Sequence, residues 1–321
     1  MQGFPDIILE EKFAERIQEI EKELSKTRNE GFFDSFDGKK LYFEYFLKQN
    51  AKASVVIVHG LSEFTKKFYE ITWYLLSCGY NVFLYDQRGH GRSFRMTSNR
   101  DLLHVDKFTD YAYDLNEYIE KIVLKASDKP IYIYSHSMGG AVTALYLAKW
   151  QDTTKKAVMS APLFEPCVAK VSHKVAKASA LVSCVLFGKK KKFWTSNEFN
   201  PETPHKKSHD ASFSRFNYNM NMRRQNIEYQ TTPMSNGWIY NALCLRSQIT
   251  KSNLPLKIKT PILLISAQND RIVELEPQKE FSAKCKSCKF ISLKGANHAM
   301  LTGTHKTITE HISAVLNFFE N

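Results

Sequence analysis

The sequence predicts an α/β fold: a mostly parallel central sheet flanked by helices, with a mainly helical insertion. Two observations carry this. Short apolar runs alternate with segments of helical periodicity along most of the 321 residues, the rhythm of parallel strands joined by crossover helices. The rhythm breaks between residues 163 and 255, where the chain turns basic, irregular and rich in Asn and Lys, and then resumes. The expected organisation is a core made of residues 1–162 and 256–321, with residues 163–255 inserted as a cap.

The elements follow in order. Leu9, Phe13, Ile17, Ile20 and Leu24 repeat at helical spacing, so an amphipathic helix is expected over Ile7 to Arg28, with Asp6 as its N-cap. Phe32–Phe36 and Leu41–Leu47 flank Asp37-Gly38 and read as a hairpin. Val55–Val58 is an unbroken apolar run, as in a strand buried on both faces. A helix over Phe68–Cys78, a strand over Tyr80–Tyr85 and a helix over Tyr111–Lys125 come next. Ile131–Tyr134 is a strand, Met138–Trp150 a helix and Lys156–Ser160 a strand. Beyond the insertion, strands are expected at Pro261–Ser266 and Lys289–Leu293, and helices at Pro277–Lys284 and Thr304–Phe319.

Composition narrows the class. The apolar share of 43 % suits a large globular core that needs no disulfides. The residues after Met1 carry neither a basic nor an apolar leader region, which points to a cytoplasmic protein with free thiols. Cys285 and Cys288 form a single CxxC without the second pair a zinc site requires. His205 and His209 stand four apart but lack an acidic third ligand, so no metal is expected there either. The apolar run Ala178–Phe187 is too short to span a bilayer. The net charge is +12, and residues 163–255 hold 14 Lys and Arg against 5 Asp and Glu. Such a bias attracts anionic surfaces. With no recognised nucleic-acid motif, nucleic acid is not an expected partner.

The chemistry is written around Ser135-His136-Ser137-Met138-Gly139-Gly140, where a strand passes directly into a helix. A tight turn there lifts the Ser137 hydroxyl clear of the sheet edge. Its flanking positions must be small; Gly139 satisfies this, and Ser135 replaces the usual glycine. The following helix aims its N-terminus at the reacting centre, which favours developing negative charge. Serine needs a base. In the nucleophile-elbow arrangement the chain order is Ser, acid, His. Asp270 follows the strand Ile262–Ser266, and His298 lies in the loop after Lys289–Leu293. Ser137, Asp270 and His298 are therefore the candidate catalytic residues. Two backbone N–H groups must hold the oxyanion. Met138 is one candidate donor, and Leu61, in the loop His59-Gly60-Leu61-Ser62-Glu63, is the other. Asp86, Arg88 and His90 read as braces of a neighbouring loop.

These motifs resemble those of the α/β-hydrolase superfamily. His59–Glu63, Asp86–Ser93 and Ser135–Gly140 together are similar to its monoacylglycerol lipase and lysophospholipase branch. His104–Tyr111, Ser214–Asn217 and Thr232–Trp238 make the chain most similar to the bacterial lysophospholipase L2 family, from about residue 32 onward. The resemblance implies hydrolysis of the ester of a small lipid, without metal or cofactor. The chain departs from the family at Ser135 and at Phe64, where the loop would usually carry His.

The cap should set the substrate. Trp238 and Phe187 are candidate acyl-pocket residues. The apolar Ala178–Phe187 beside Lys189–Lys192 also suits peripheral contact with an anionic membrane. A lysophospholipase is the leading reading. Monoacylglycerol lipase, general carboxylesterase and peptidase use the same triad, and a non-catalytic hydrolase-like binding protein is the alternative from another class.

Overall fold

A computed structural model describes residues 5–168, 171–208 and 210–321. A 3-10 turn, Glu10–Lys12, leads into α1 (Phe13–Thr27). The hairpin β1 (Asn29–Asp34) and β2 (Lys40–Phe46) follows. Then come β3 (Ser54–Val58), α2 (Tyr69–Ser77) and β4 (Asn81–Tyr85). Next is α3 (Thr109–Tyr118), prolonged by a π-helical turn, Ile119–Val123, into α4 (Leu124–Ala126). β5 (Ile131–His136), α5 (Met138–Lys149) and β6 (Thr154–Ser160) complete the first part. Between β6 and β7 lie α6 (His173–Phe187), α7 (Phe213–Gln225), α8 (Asn236–Gln248) and α9 (Leu254–Lys257). The chain closes with β7 (Ile262–Ala267), α10 (Leu275–Lys284), β8 (Cys288–Leu293) and α11 (His305–Glu320).

The eight strands form one sheet in the order β1-β2-β4-β3-β5-β6-β7-β8. β2 is antiparallel to β1 and to β4; the other pairings are parallel. The strand order reverses at β3, which lies between β4 and β5. Loops leaving β3 and β5 therefore diverge at the carboxyl edge, where open α/β sheets form ligand crevices. The register Val58↔Ser135 sets the end of β3 beside the start of the elbow. β3 and β4 are buried at every position, which explains their lack of alternation. Edge strand β8 is covered more thinly.

The N-terminal segment differs from its expected form. α1 begins at Phe13, not near Ile7, and Asp6 caps nothing. Ile8 runs extended: its N–H donates to the Tyr74 hydroxyl (2.9 Å), and its carbonyl accepts from Arg215 (2.9 Å). These bonds replace a first helical turn, and Leu9 is left exposed. Phe13, Ile17, Ile20 and Leu24 form the buried stripe of α1.

Two buried arginines fasten separate parts of the fold. On α7, Arg215 makes a two-pronged contact with Glu70 of α2 (2.8 and 2.5 Å) and stacks over Phe13. Arg88, after β4, reaches Asp114 of α3 through Nε (2.5 Å) and a terminal nitrogen (2.7 Å). Arg88 and Asp114 are both about 1 % exposed, so neither charge has water as an alternative partner. Truncation of Arg88 leaves a buried, unpaired carboxylate. Arg88→Ala is expected to lower unfolding free energy by about 3–5 kcal/mol in urea titration; a loss under 1 kcal/mol would show that Asp114 finds another partner.

Candidate active site

The turn from β5 into α5 holds Ser137 at φ 53°, a left-handed conformation unusual for a side-chain-bearing residue. Backbone bonds secure it. Its N–H donates to the Ser160 carbonyl (2.9 Å), while its own carbonyl accepts from Gly140 and Leu163 (both 2.9 Å). Glycine is compulsory at 139: a Cβ there would stand 2.0 Å from the Val58 carbonyl oxygen. Ser135 fits because its hydroxyl turns away and donates to the Val158 carbonyl (3.0 Å). The elbow thus tolerates serine where glycine is usual.

Ser137, Asp270 and His298 meet in space. The Ser137 hydroxyl lies 2.9 Å from His298 Nε2, and His298 Nδ1 lies 2.7 Å from Asp270 Oδ2. The other Asp270 oxygen accepts from the N–H groups of Ile272 (2.8 Å) and Val273 (3.0 Å). With Asp270 accepting at Nδ1–H, His298 presents its Nε2 lone pair to the serine, the tautomer a general base requires. Burial alone would raise the Asp270 pKa, but His298 and the two backbone donors hold it below the usual carboxylate range. Burial lowers the pKa of His298, against the opposing pull of Asp270. The imidazole is therefore neutral and able to accept a proton near pH 7.

The loop after β3 crosses directly beside the elbow. A Cβ on Gly60 would come within 3.1 Å of Ser137 Cβ. Met138 opens α5, so its N–H has no intrahelical acceptor. Among the described residues, the Leu61 N–H makes no hydrogen bond. His59 is fixed behind the loop: its Nε2 accepts from Gln87 N–H (2.9 Å), and Nδ1 lies 2.7 Å from the Gly60 carbonyl. Asp86 braces the neighbouring turn by accepting from Thr65 N–H (2.7 Å) and Arg92 N–H (2.8 Å). His90 is buried beside His59, and burial drives its pKa well below the ordinary value.

Glu63 is a site residue to which the sequence reading gave no role. Its carboxylate is buried and contacts Gly60 N–H, His136 and Lys67. The available signal was an acid three residues after Gly60, in reach of that glycine's own N–H. A cavity of about 30 Å³ adjoins this group, lined by Glu63, Lys67, His136, Arg215, Asn219 and Ala299 among others. Ser137 itself is only 6 % exposed.

The two aromatic pocket candidates do not come together. Trp238 packs on Phe108 within the main core, and Phe187 is 67 % exposed at the end of α6. Aromatic character marked both for an apolar environment but gave no direction to either side chain. His209 lies outside the described residues, so its spacing to His205 is not placed in space.

Comparison with known proteins gives the family and the fold. Lysophospholipase L2 of Escherichia coli strain K12 is 33 % identical over 139 residues, 43 % of this chain and 41 % of that protein. The chain thus spans about two fifths of that relative's length. A probable lysophospholipase L2 of Haemophilus influenzae is 23 % identical over 84 % of this chain and 88 % of that one. The crystal structure of a soluble variant of the Saccharomyces cerevisiae monoglyceride lipase superposes with a TM-score of 0.72 at 19 % identity, covering 91 % of this chain and 94 % of that one. The fold is that of the α/β hydrolases. The model of the Hydrolase_4 family, described as serine aminopeptidase S33, matches residues 49–305, and the chain belongs to this family of serine hydrolases.

Proposed function

We propose that the protein hydrolyses the ester bond of a lysophospholipid, with Ser137 as nucleophile, His298 as general base and Asp270 as the group that orients it. The carrying observation is the unbroken relay from Asp270 through His298 to the Ser137 hydroxyl. Similarity to lysophospholipase L2 proteins supports the substrate class. Ser137 attacks the ester carbonyl as its proton passes to His298 Nε2. The Leu61 and Met138 N–H groups receive the oxyanion. Protonated His298 then gives its proton to the leaving alcohol, and water repeats the sequence on the acyl-enzyme. Asp270 holds the imidazole in register and stabilises its cationic form. Similarity to the yeast monoglyceride lipase supports monoacylglycerol as the second reading. The complete relay argues against a purely binding role.

The segment between β6 and β7 is proposed as a cap that docks on an anionic lipid surface. Its support is the reversed polarity of α6. Small residues Ala180, Ser183 and Cys184 face inward, and α6 packs against α8. Val175, Leu181, Val182, Val185, Leu186 and Phe187 face solvent. A contiguous apolar stripe of this kind marks an interaction surface. Lys189–Lys192 follow at once, held by α8 through bonds from Asn236 N–H to the Lys191 carbonyl (2.8 Å) and from Gly237 N–H to the Lys189 carbonyl (2.9 Å). Peripheral attachment is the proposed location; no described helix is long and apolar enough to cross a membrane.

Fatty-acid release from lysophosphatidylcholine and monoacylglycerol tests the reading directly. Wild type should act and Ser137→Ala should not, and the preferred lipid decides between the two substrate classes; inertness on both overturns the proposal. Asp270→Asn should lower kcat by about 10⁴-fold, because the imidazole loses its orienting acceptor. Activity needs neutral His298, whose pKa burial depresses. The kcat/KM profile should therefore hold as pH falls to the ordinary histidine value of about 6.5 and drop only below it; a midpoint above that value would contradict the assignment. Replacing Lys189–Lys192 by Ala should weaken sedimentation with phosphatidylglycerol vesicles by at least 10²-fold, at ~1 kcal/mol per basic group, and leave phosphatidylcholine vesicles unaffected.

A further inference from the structure

The Glu63 carboxylate ties together the loop after β3, the elbow and the turn that carries Lys67. Oε2 accepts from Gly60 N–H (2.5 Å) and lies 3.0 Å from His136 Nδ1. Oε1 accepts from Lys67 Nζ (2.8 Å). His136, the residue before Ser137, reaches onward with Nε2 to the backbone carbonyl of His298 (3.4 Å), its ring 5.1 Å from that imidazole. Gly60 is hemmed on both sides: a Cβ there would meet Glu63 Oε2 at 2.7 Å and Ser137 Cβ at 3.1 Å. The loop turns back at Ser62, held at φ 57°, with the Glu63 N–H donating to the Gly60 carbonyl (3.4 Å). One carboxylate therefore fixes the turn that presents Leu61 N–H and, through His136, the loop that carries His298.

We propose that Glu63, acting with His136, is a positioning residue for the hydrolytic reaction: it sets the Leu61 N–H and the His298 ring in mutual register against Ser137. The proposal rests on the triad reading above. A carboxylate suits the task because it offers several acceptor sites and no donor, and here all three neighbouring groups can donate. Glutamine has the same shape but must turn an NH₂ toward one of those donors. Desolvation strengthens the arrangement, since buried charge-assisted bonds are short and directional. Burial would raise the Glu63 pKa, but His136 and Lys67 hold it well below the usual range, so it is ionised throughout the working pH. The charged and titratable groups around the pair include Lys67, His59 and His90 near Glu63, Asp210 and Arg223 beside Lys67, His311 and His298 near His136, and Asp270 beside His298.

The experiment compares wild type, Glu63→Gln, His136→Gln and Ser137→Ala on a short p-nitrophenyl ester, which does not depend on lipid choice. Glu63→Gln should lower kcat by about 10²-fold, the cost of a misplacement near 1 Å, with KM within about twofold, because binding common to ground and transition states is untouched. The melting temperature checks that the variant is folded. His136→Gln loses one of the two contacts through which the ring spans Glu63 and the His298 carbonyl, so kcat should fall while KM stays within about twofold. An unchanged kcat in folded Glu63→Gln overturns the inference. So does an unchanged kcat in folded His136→Gln, which decides the matter if Glu63→Gln does not fold. If Ser137→Ala retains wild-type activity, the triad reading itself has failed.

Discussion

Ser137 keeps its left-handed backbone because the chain on either side of it is tied down by hydrogen bonds. Such a conformation costs on the order of 1–3 kcal/mol and persists only where the surroundings over-determine it. Here its N–H is tied to β6, and its carbonyl accepts from Gly140 and Leu163. Gly139 lies so close to the Val58 carbonyl that no side chain could stand between them. The parallel register of β3 and β5 thus does more than build a sheet. It brings the His59–Glu63 loop against the elbow and fixes where an oxyanion could be received.

What the sequence made legible depended on how local the cause was. The central strands were readable because burial on both faces demands unbroken apolar runs, and Val55–Val58 has no other easy reading. The Ser137, Asp270 and His298 positions could be chosen because chain order and strand ends constrain them. The first turn of the N-terminal helix was not readable, because the partners of Ile8 are Tyr74 and Arg215, both remote in sequence. The placement of the aromatic residues between β6 and β7 was not readable for a related reason. Residue type says that Trp238 and Phe187 suit apolar surroundings; only packing sends one into the core and leaves the other in solvent. The same limit hid the reversal of α6, whose sequence fits an inward apolar face as well as an outward one.

Several buried charges are paired locally. Arg88 with Asp114, Arg215 with Glu70, and Glu63 with His136 and Lys67 each match cation to anion before leaving water. Because an unpaired buried charge is costly, each set fixes the mutual position of the segments that supply it. The sets join a loop to α3, the insertion to α2, and the β3 loop to the elbow. Pairing therefore adds positional constraints to the apolar packing.

The grip of the N-terminal segment on α7 has a practical side. Glu10 accepts from Ser214 N–H (2.7 Å) and from the Ser212 hydroxyl (2.5 Å), while Tyr218 donates to Glu21 of α1 (2.5 Å). α7 is thereby stitched to the body of the molecule, whereas α6 leans on α8. The segment between β6 and β7 is thus held at two places, α7 by the N-terminal segment and α6 by α8. Proteolytic trimming or a bulky fusion around residues 8–10 would remove the partners of Arg215, Ser212 and Ser214, and so would act on α7 rather than on the N-terminus alone.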